Sequence, residues 1–128
     1  MNSIFHISGT ILTVLLPAEI DHHNAEQIRR ESDYLIQTKK IRTLIFDFSQ
    51  TEFMDSSGIG MIIGRYKMVR FLGGMVKAVH VSGRMQKILQ MSGIYRFIDV
   101  CEDGICEMPA ISVSDERDLY ADSEIQQK

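Results

Sequence analysis

The sequence predicts an α/β domain, a mixed and mainly parallel sheet of four to five strands with helices packed against it. Three observations carry that expectation. Apolar, β-forming runs alternate with stretches of helical period along most of the chain, the pattern of strands joined by helical crossovers. Two β-rich runs separated by Ser8-Gly9-Thr10 open the chain and read as a hairpin. The length of 128 residues with 45% hydrophobic content suits one domain with a substantial core.

Each element follows from its local pattern. "IFHISGTILTVLLP" supplies the two hairpin strands. In "EIDHHNAEQIRRESDYLIQTKK" the period changes: Ala25, Ile28, Ser32, Leu35 and Ile36 fall on one face, and Asp21 stands where an N-cap belongs. "IRTLIFDF" is dense in apolar residues and is expected to be a central strand covered on both faces. A helix starting near Ser57 follows, then the strand "GGMVKAVHV", the helix "SGRMQKILQMSG" with Gly93 as its stop, and the strand "RFIDV". The domain is expected over residues 1–108, and residues 109–128 form an acidic tail or peripheral helix.

Charge and composition narrow the function. A net charge of −3 offers no general attraction for nucleic acid or an anionic membrane. No apolar run approaches the roughly 18 residues of a membrane span, and the first residues lack the pattern of a signal peptide, so a cytoplasmic protein is expected. Cys101 and Cys106 have no second pair to complete a zinc site, and the consecutive His22 and His23 diverge by about 100° on a helix, so neither a metal nor another cofactor is expected.

The chemistry concentrates in "FMDSSGIGMIIGRYKMVRFLGG", residues 53–74, where two serines stand at the mouth of a helix. Three uses are open. A serine or Asp55 can cap the helix, a contribution of about 1 kcal/mol. One serine can accept a phosphate, because free N–H groups and the helix dipole welcome an anion, and Gly58 and Gly60 leave the backbone open. A serine can also be a nucleophile, as in a small hydrolase, but the glycine two residues before it that marks a nucleophile elbow is missing, and no base and orienter pair is evident.

Further along this helix Ile59, Ile62, Ile63, Tyr66 and Val69 share an arc expected to face the sheet. A second apolar stripe, Gly60, Met61, Gly64, Met68, Phe71 and Leu72, is set off by Arg65 and Lys67 at its borders. It is either covered by the helix carrying Met85, Ile88 and Leu89 or is a docking patch for a partner.

"EIDHHNAE" at 19–26, "FMDSSGIG" at 53–60, "GRYK" at 64–67, "GG" at 73–74 and "MSG" at 91–93 together resemble the anti-sigma factor antagonists with a STAS domain, of the bacterial sporulation type, over about Ile4 to Val100. The resemblance implies a non-enzymatic switch. Its unphosphorylated form would bind an anti-sigma factor that is also a serine kinase with bound nucleotide, freeing a sigma factor. Phosphorylation would end the interaction and a serine phosphatase would restore it; another partner-switching complex is the alternative setting. Aligning "MDSSG" puts the phosphoacceptor on Ser56 and leaves Ser57 as the helix cap. The resemblance also brings the loop of Asp21 and His22 near the phosphosite. The expected partner-binding set is therefore Asp21, His22, Asp55, Ser57, Gly58, Gly60, Met61, Gly64 and Met68. Where the family has a glycine turn before this loop, the chain has Pro17-Ala18.

Overall fold

In the computed structural model, which describes residues 3–100, the hairpin forms as expected. β1 (Phe5–Ser8) and β2 (Ile11–Leu15) pair antiparallel, with Phe5 opposite Val14 and Ser8 opposite Ile11. The chain continues through β3 (Glu19–Ile20), α1 (His22–Thr38), β4 (Thr43–Asp47), β5 (Phe53–Met54), α2 (Ser56–Phe71), β6 (Met75–Val79), α3 (Gly83–Ser92), a 3-10 turn at Ile94–Arg96 and β7 (Asp99–Val100). Cys101, Cys106 and the tail of residues 109–128 lie outside the described residues.

The main sheet has the order β1-β2-β4-β6-β7, parallel except for β1 with β2. Its register stacks the core into rows: Leu12, Leu44 and Val76 in one, Val14, Phe46 and Ala78 in the next, all buried. Removing a side chain of this size from water contributes about 1.5–3 kcal/mol. Ala25, Ile28 and Ile36 of α1 and Ile62 and Val69 of α2 close over that core. The strand expected to be covered on both faces is fully covered on one. Leu44 and Phe46 are buried, while Thr43, Ile45 and Asp47 are half-buried. The reason is in the alternate positions, where a threonine and an aspartate flank a single isoleucine.

α2 also departs from its expected orientation. Its buried residues are Gly58, Met61, Ile62, Arg65, Tyr66 and Val69, whereas Ile59 and Ile63 are half-buried. Arg65, read from the sequence as a border residue, lies inside the buried arc at 6% exposure. The neighbour that makes this possible is α1: Asp33 Oδ1 lies 2.8 Å from Arg65 Nε. At the far end of the sheet α3 behaves as read, with Ser82 capping Met85 N–H at 3.2 Å and Gly93 ending the helix at a φ of 80°, in the left-handed region that glycine enters without steric cost.

Candidate functional site

Two helix mouths stand side by side, and main-chain bonds hold them there. β3 and β5 pair in parallel, Glu19 with Phe53 and Ile20 with Met54, as a two-stranded sheet separate from the main one. Asp55 N–H donates to Ile20 O at 3.1 Å, and Glu52 N–H donates to Ala18 O at 2.8 Å. The buried Thr51 hydroxyl donates to Pro17 O at 2.9 Å, so the Pro17-Ala18 segment is anchored from the β5 side. Each of these short strands runs directly into an N-cap, Asp21 for α1 and Asp55 for α2.

The caps differ in design. Asp21 accepts from Asn24 N–H at 3.0 Å, while Asn24 Oδ1 accepts from Asp21 N–H at 2.8 Å, a reciprocal capping box. Asn24 also donates to Glu19 O at 2.7 Å, which ties the cap back to β3. On α2, Asp55 Oδ1 accepts from Ser57 N–H at 2.8 Å and from Gly58 N–H at 3.3 Å. The cap expected at Ser57 is thus Asp55, and α2 begins at Ser56. A carboxylate competes well for this place because it is short, has two acceptor oxygens and complements the positive end of the helix.

With capping done by Asp55, the serines are released for other uses. Ser56 is the first helical residue, is exposed, and makes no side-chain hydrogen bond among the described residues. Ser57 is half-buried, and its Oγ lies 3.3 Å from His22 Nδ1 at the start of α1. The Ser57–His22 contact, invisible at a separation of 35 residues, is the one Ser–His pair at the mouth. It lacks the orienting carboxylate of a hydrolytic triad, since the nearby Asp21 is occupied with its own helix.

The remaining expected residues divide. Gly58 is buried, and a Cβ there would stand 3.0 Å from Ile20 Cγ2 and 3.2 Å from Met54 Cβ, so its lack of a side chain serves close packing of α2 against the β3–β5 pair. Gly60 is exposed and Gly64 half-buried, and a Cβ on either would meet nothing within 4 Å. Met61, expected on the docking stripe, is a core residue at 4% exposure, while Met68 is half-buried and Phe71 and Leu72 are exposed. Asp21, His22, Asp55, Ser56, Ser57 and Gly60 therefore share one end of the molecule. The stripe beyond them is only partly surface. Glu19 and Glu52 are exposed beside the two aspartates and give the mouth an acidic rim.

Among the described residues no three His, Cys, Asp or Glu side chains cluster as metal ligands, and no helix is long and apolar enough to cross a membrane.

This fold recurs in known proteins. An anti-sigma F factor antagonist of Paenibacillus polymyxa is 30% identical over 103 residues, 80% of this chain and 88% of that protein. The protein of the same name in Lysinibacillus sphaericus is 34% identical over 88 residues, 69% of this chain and 75% of its own. The anti-sigma factor antagonist SpoIIAA in its unphosphorylated form superimposes with a TM-score of 0.69 at 25% identity, covering 88% of this chain and 94% of that one. The phosphorylated form of the Bacillus cell fate determinant SpoIIAA gives 0.62 at 29% identity, covering 77% and 92%. The STAS domain model matches residues 3–104, and the chain belongs to the STAS domain family.

Proposed function

We propose that the protein is an anti-sigma factor antagonist controlled by phosphorylation of Ser56. Unphosphorylated, it binds an anti-sigma factor that is a serine kinase carrying nucleotide, and so frees a sigma factor. The kinase ends the interaction by modifying Ser56, and a serine phosphatase restores it. The observation that carries the choice of serine is the division of labour at the mouth: Ser56 is exposed with an uncommitted hydroxyl, while Ser57 is half-buried against His22. The names of the relatives support the regulatory role. The protein acts by binding rather than by catalysis, in the cytoplasm, with neither nucleic acid nor membrane as a direct partner.

The partner-binding surface is the mouth itself, Asp21, His22, Asp55, Ser57 and Gly60, continued along α2 by Gly64 and Met68. Gly58 and Met61 support it from beneath. A phosphate on Ser56 adds about −1.5 to −2 charges at a helix N-terminus that tolerates them, so the free domain stays folded. The penalty falls on the complex, where the dianion must enter a contact fitted to a hydroxyl. An unfavourable contribution of about 3 kcal/mol weakens binding more than a hundredfold.

The test is to incubate the full chain with candidate anti-sigma kinases and ATP and to map the phosphate by mass spectrometry. Ser56→Ala is expected to abolish phosphorylation and retain binding to the ADP-loaded kinase, while Ser57→Ala remains a substrate. Stoichiometric phosphate on the Ser56→Ala variant refutes the assignment.

A further inference from the structure

The edge of the main sheet at β1 has the form of an unfinished pairing. Leu15 N–H donates to Ile4 O at 2.8 Å, which makes Ile4 and Leu15 a bonded pair. In the alternation of an antiparallel ladder His6 and Ser8 are then also bonded to β2, and Phe5 and Ile7 turn their N–H and C=O groups outward. At Phe5 both outward groups are engaged by one hydroxyl. Ser3 Oγ accepts from Phe5 N–H at 3.0 Å and donates to Phe5 O at 3.3 Å, standing where a residue of a further strand would stand. The outward groups of Ile7 have no partner among the described residues. The strand "FHIS" carries no lysine, proline or bulge, the devices that usually protect an edge.

Beside this edge lies a cleft of about 490 Å³ between β1 and α1, lined by Phe5, Ile7, Arg30, Glu31, Tyr34 and Leu35. It lies well away from the Ser56 mouth, since Tyr34 is about 18 Å along α1 from His22. A strand added antiparallel to β1 would project the residues opposite Phe5 and Ile7 into the cleft, because opposed side chains share a face. Tyr34, at 65% exposure, and Ile7, at 36%, are the large exposed side chains it would cover.

We propose that a second copy of this chain occupies the edge, its β1 pairing with β1 across a two-fold axis at His6. In that register Phe5 of each copy exchanges its Ser3 hydroxyl for Ile7 of the other, so the open groups of Ile7 are satisfied, those of Phe5 stay satisfied, and two aromatic–aliphatic pairs form. The charges at the rim favour a copy over an acidic or basic partner: Arg30 and Glu31 are adjacent and opposite in sign, which is self-complementary under a two-fold and neutral overall. The sheets join into one, and the Ser56 mouths remain free.

Sedimentation equilibrium of the full chain, from low micromolar to near-millimolar concentration, is expected to show a reversible monomer–dimer equilibrium. Ile7→Pro removes an outward N–H without touching the bonds to β2 and is expected to weaken association at least about tenfold. Tyr34→Glu, an exposed position on a helix, should weaken it as well and guards against a misfolded proline variant. The register is read by cross-linking in a Cys101→Ser, Cys106→Ser background. His6 faces its copy as a non-bonded pair at a Cα separation of about 4.5 Å, within disulfide range, so His6→Cys should form a dimer on mild oxidation. Ser8→Cys, about 13 Å from its copy in this register, should not. A wild-type chain that stays monomeric throughout overturns the proposal. Equal cross-linking at both positions overturns the register.

Discussion

Replacing Asp33 by alanine should be among the most damaging single changes available on α1, although Asp33 contributes nothing to the apolar core. Arg65 is 8% exposed in its side chain, and its Nη1 has no hydrogen-bond partner; Asp33, at 23%, is the acidic group that reaches it, at 2.8 Å. The contact is close but poorly angled, since neither Arg65 Nε nor Asp33 Oδ1 attains hydrogen-bond geometry. Coulomb attraction is therefore the main gain. At an effective dielectric of about 20, charges 2.8 Å apart attract by roughly 6 kcal/mol, most of it offset by the cost of taking both groups out of water. The net pair is worth little, but its half is expensive. Burial already pushes the guanidinium below its ordinary value, and Asp33 opposes that shift, with Arg29 adding repulsion. Breaking a buried pair costs about 3–5 kcal/mol, and because Asp33 is partly exposed the low end applies, about 3 kcal/mol. In a domain of this size that lowers Tm by roughly 12 °C or more. Urea unfolding followed by circular dichroism measures it. The double variant Asp33→Leu, Arg65→Met should recover wild-type stability or exceed it, because no buried charge remains. An Asp33→Ala variant within about 1 kcal/mol of wild type would show that Arg65 finds water or another acceptor, and the account of the α1–α2 contact would fail.

The remaining expectations concern the mouth and its helix. Gly60→Ala and Gly64→Ala each add a Cβ to open space and should stabilise α2 by about 0.5–1 kcal/mol; if binding to the proposed kinase partner falls while stability rises, the glycines serve partner approach. Gly58→Ala should destabilise by about 1–3 kcal/mol in chemical denaturation, because Ile20 and Met54 must give way. Met61→Glu should prevent folding at the cost of several kcal/mol, whereas Met68→Glu should lower Tm far less, and a Met68→Glu protein that is stable but does not bind the proposed kinase partner would assign that position to the interface. The Glu26 carboxyl is held below its ordinary value chiefly by its hydrogen bond to Arg29. Its contribution is therefore present above its unfolded value and is lost as pH falls through the lower folded one, so Glu26→Gln should flatten the acid limb of a stability–pH profile.

Much of this molecule is legible in its sequence because the long elements carry strong local signals. The period of Ala25, Ile28, Ser32 and Ile36 identifies α1, the Ser82 and Gly93 signals bracket α3, and Gly9 marks the hairpin turn. What escapes is what depends on distant residues. β3 and β5 are two residues each, too short for any periodicity, and exist only because each is the other's partner. The burial of Arg65 depends on Asp33, 32 positions away, so on α2 alone it reads as a polar border. Met61 similarly sits on an apolar stripe whose sheet side and open side differ only once α1 is in place. At the mouth the contest between Asp55 and Ser57 for the cap was decidable in principle, since a carboxylate one residue before two serines is well suited to it. The His22–Ser57 contact was not.

The β3–β5 pair has a further implication for how such a protein diversifies. Its ladder and the adjoining Asp55–Ile20 and Glu52–Ala18 bonds are main-chain bonds, indifferent to the side chains that border them. Lineages can therefore rewrite exposed residues on both loops, Glu19, His22, Glu52 and Phe53 among them, while the spacing of the mouths stays constant. Related regulators sharing one cell could acquire separate partners by this route without recruiting a new scaffold. If the mouth is the recognition surface proposed above, the same property makes residues 17–24 and 49–58 a transplantable cassette: moved together into a sister protein they should carry recognition with them, and moved singly they should not.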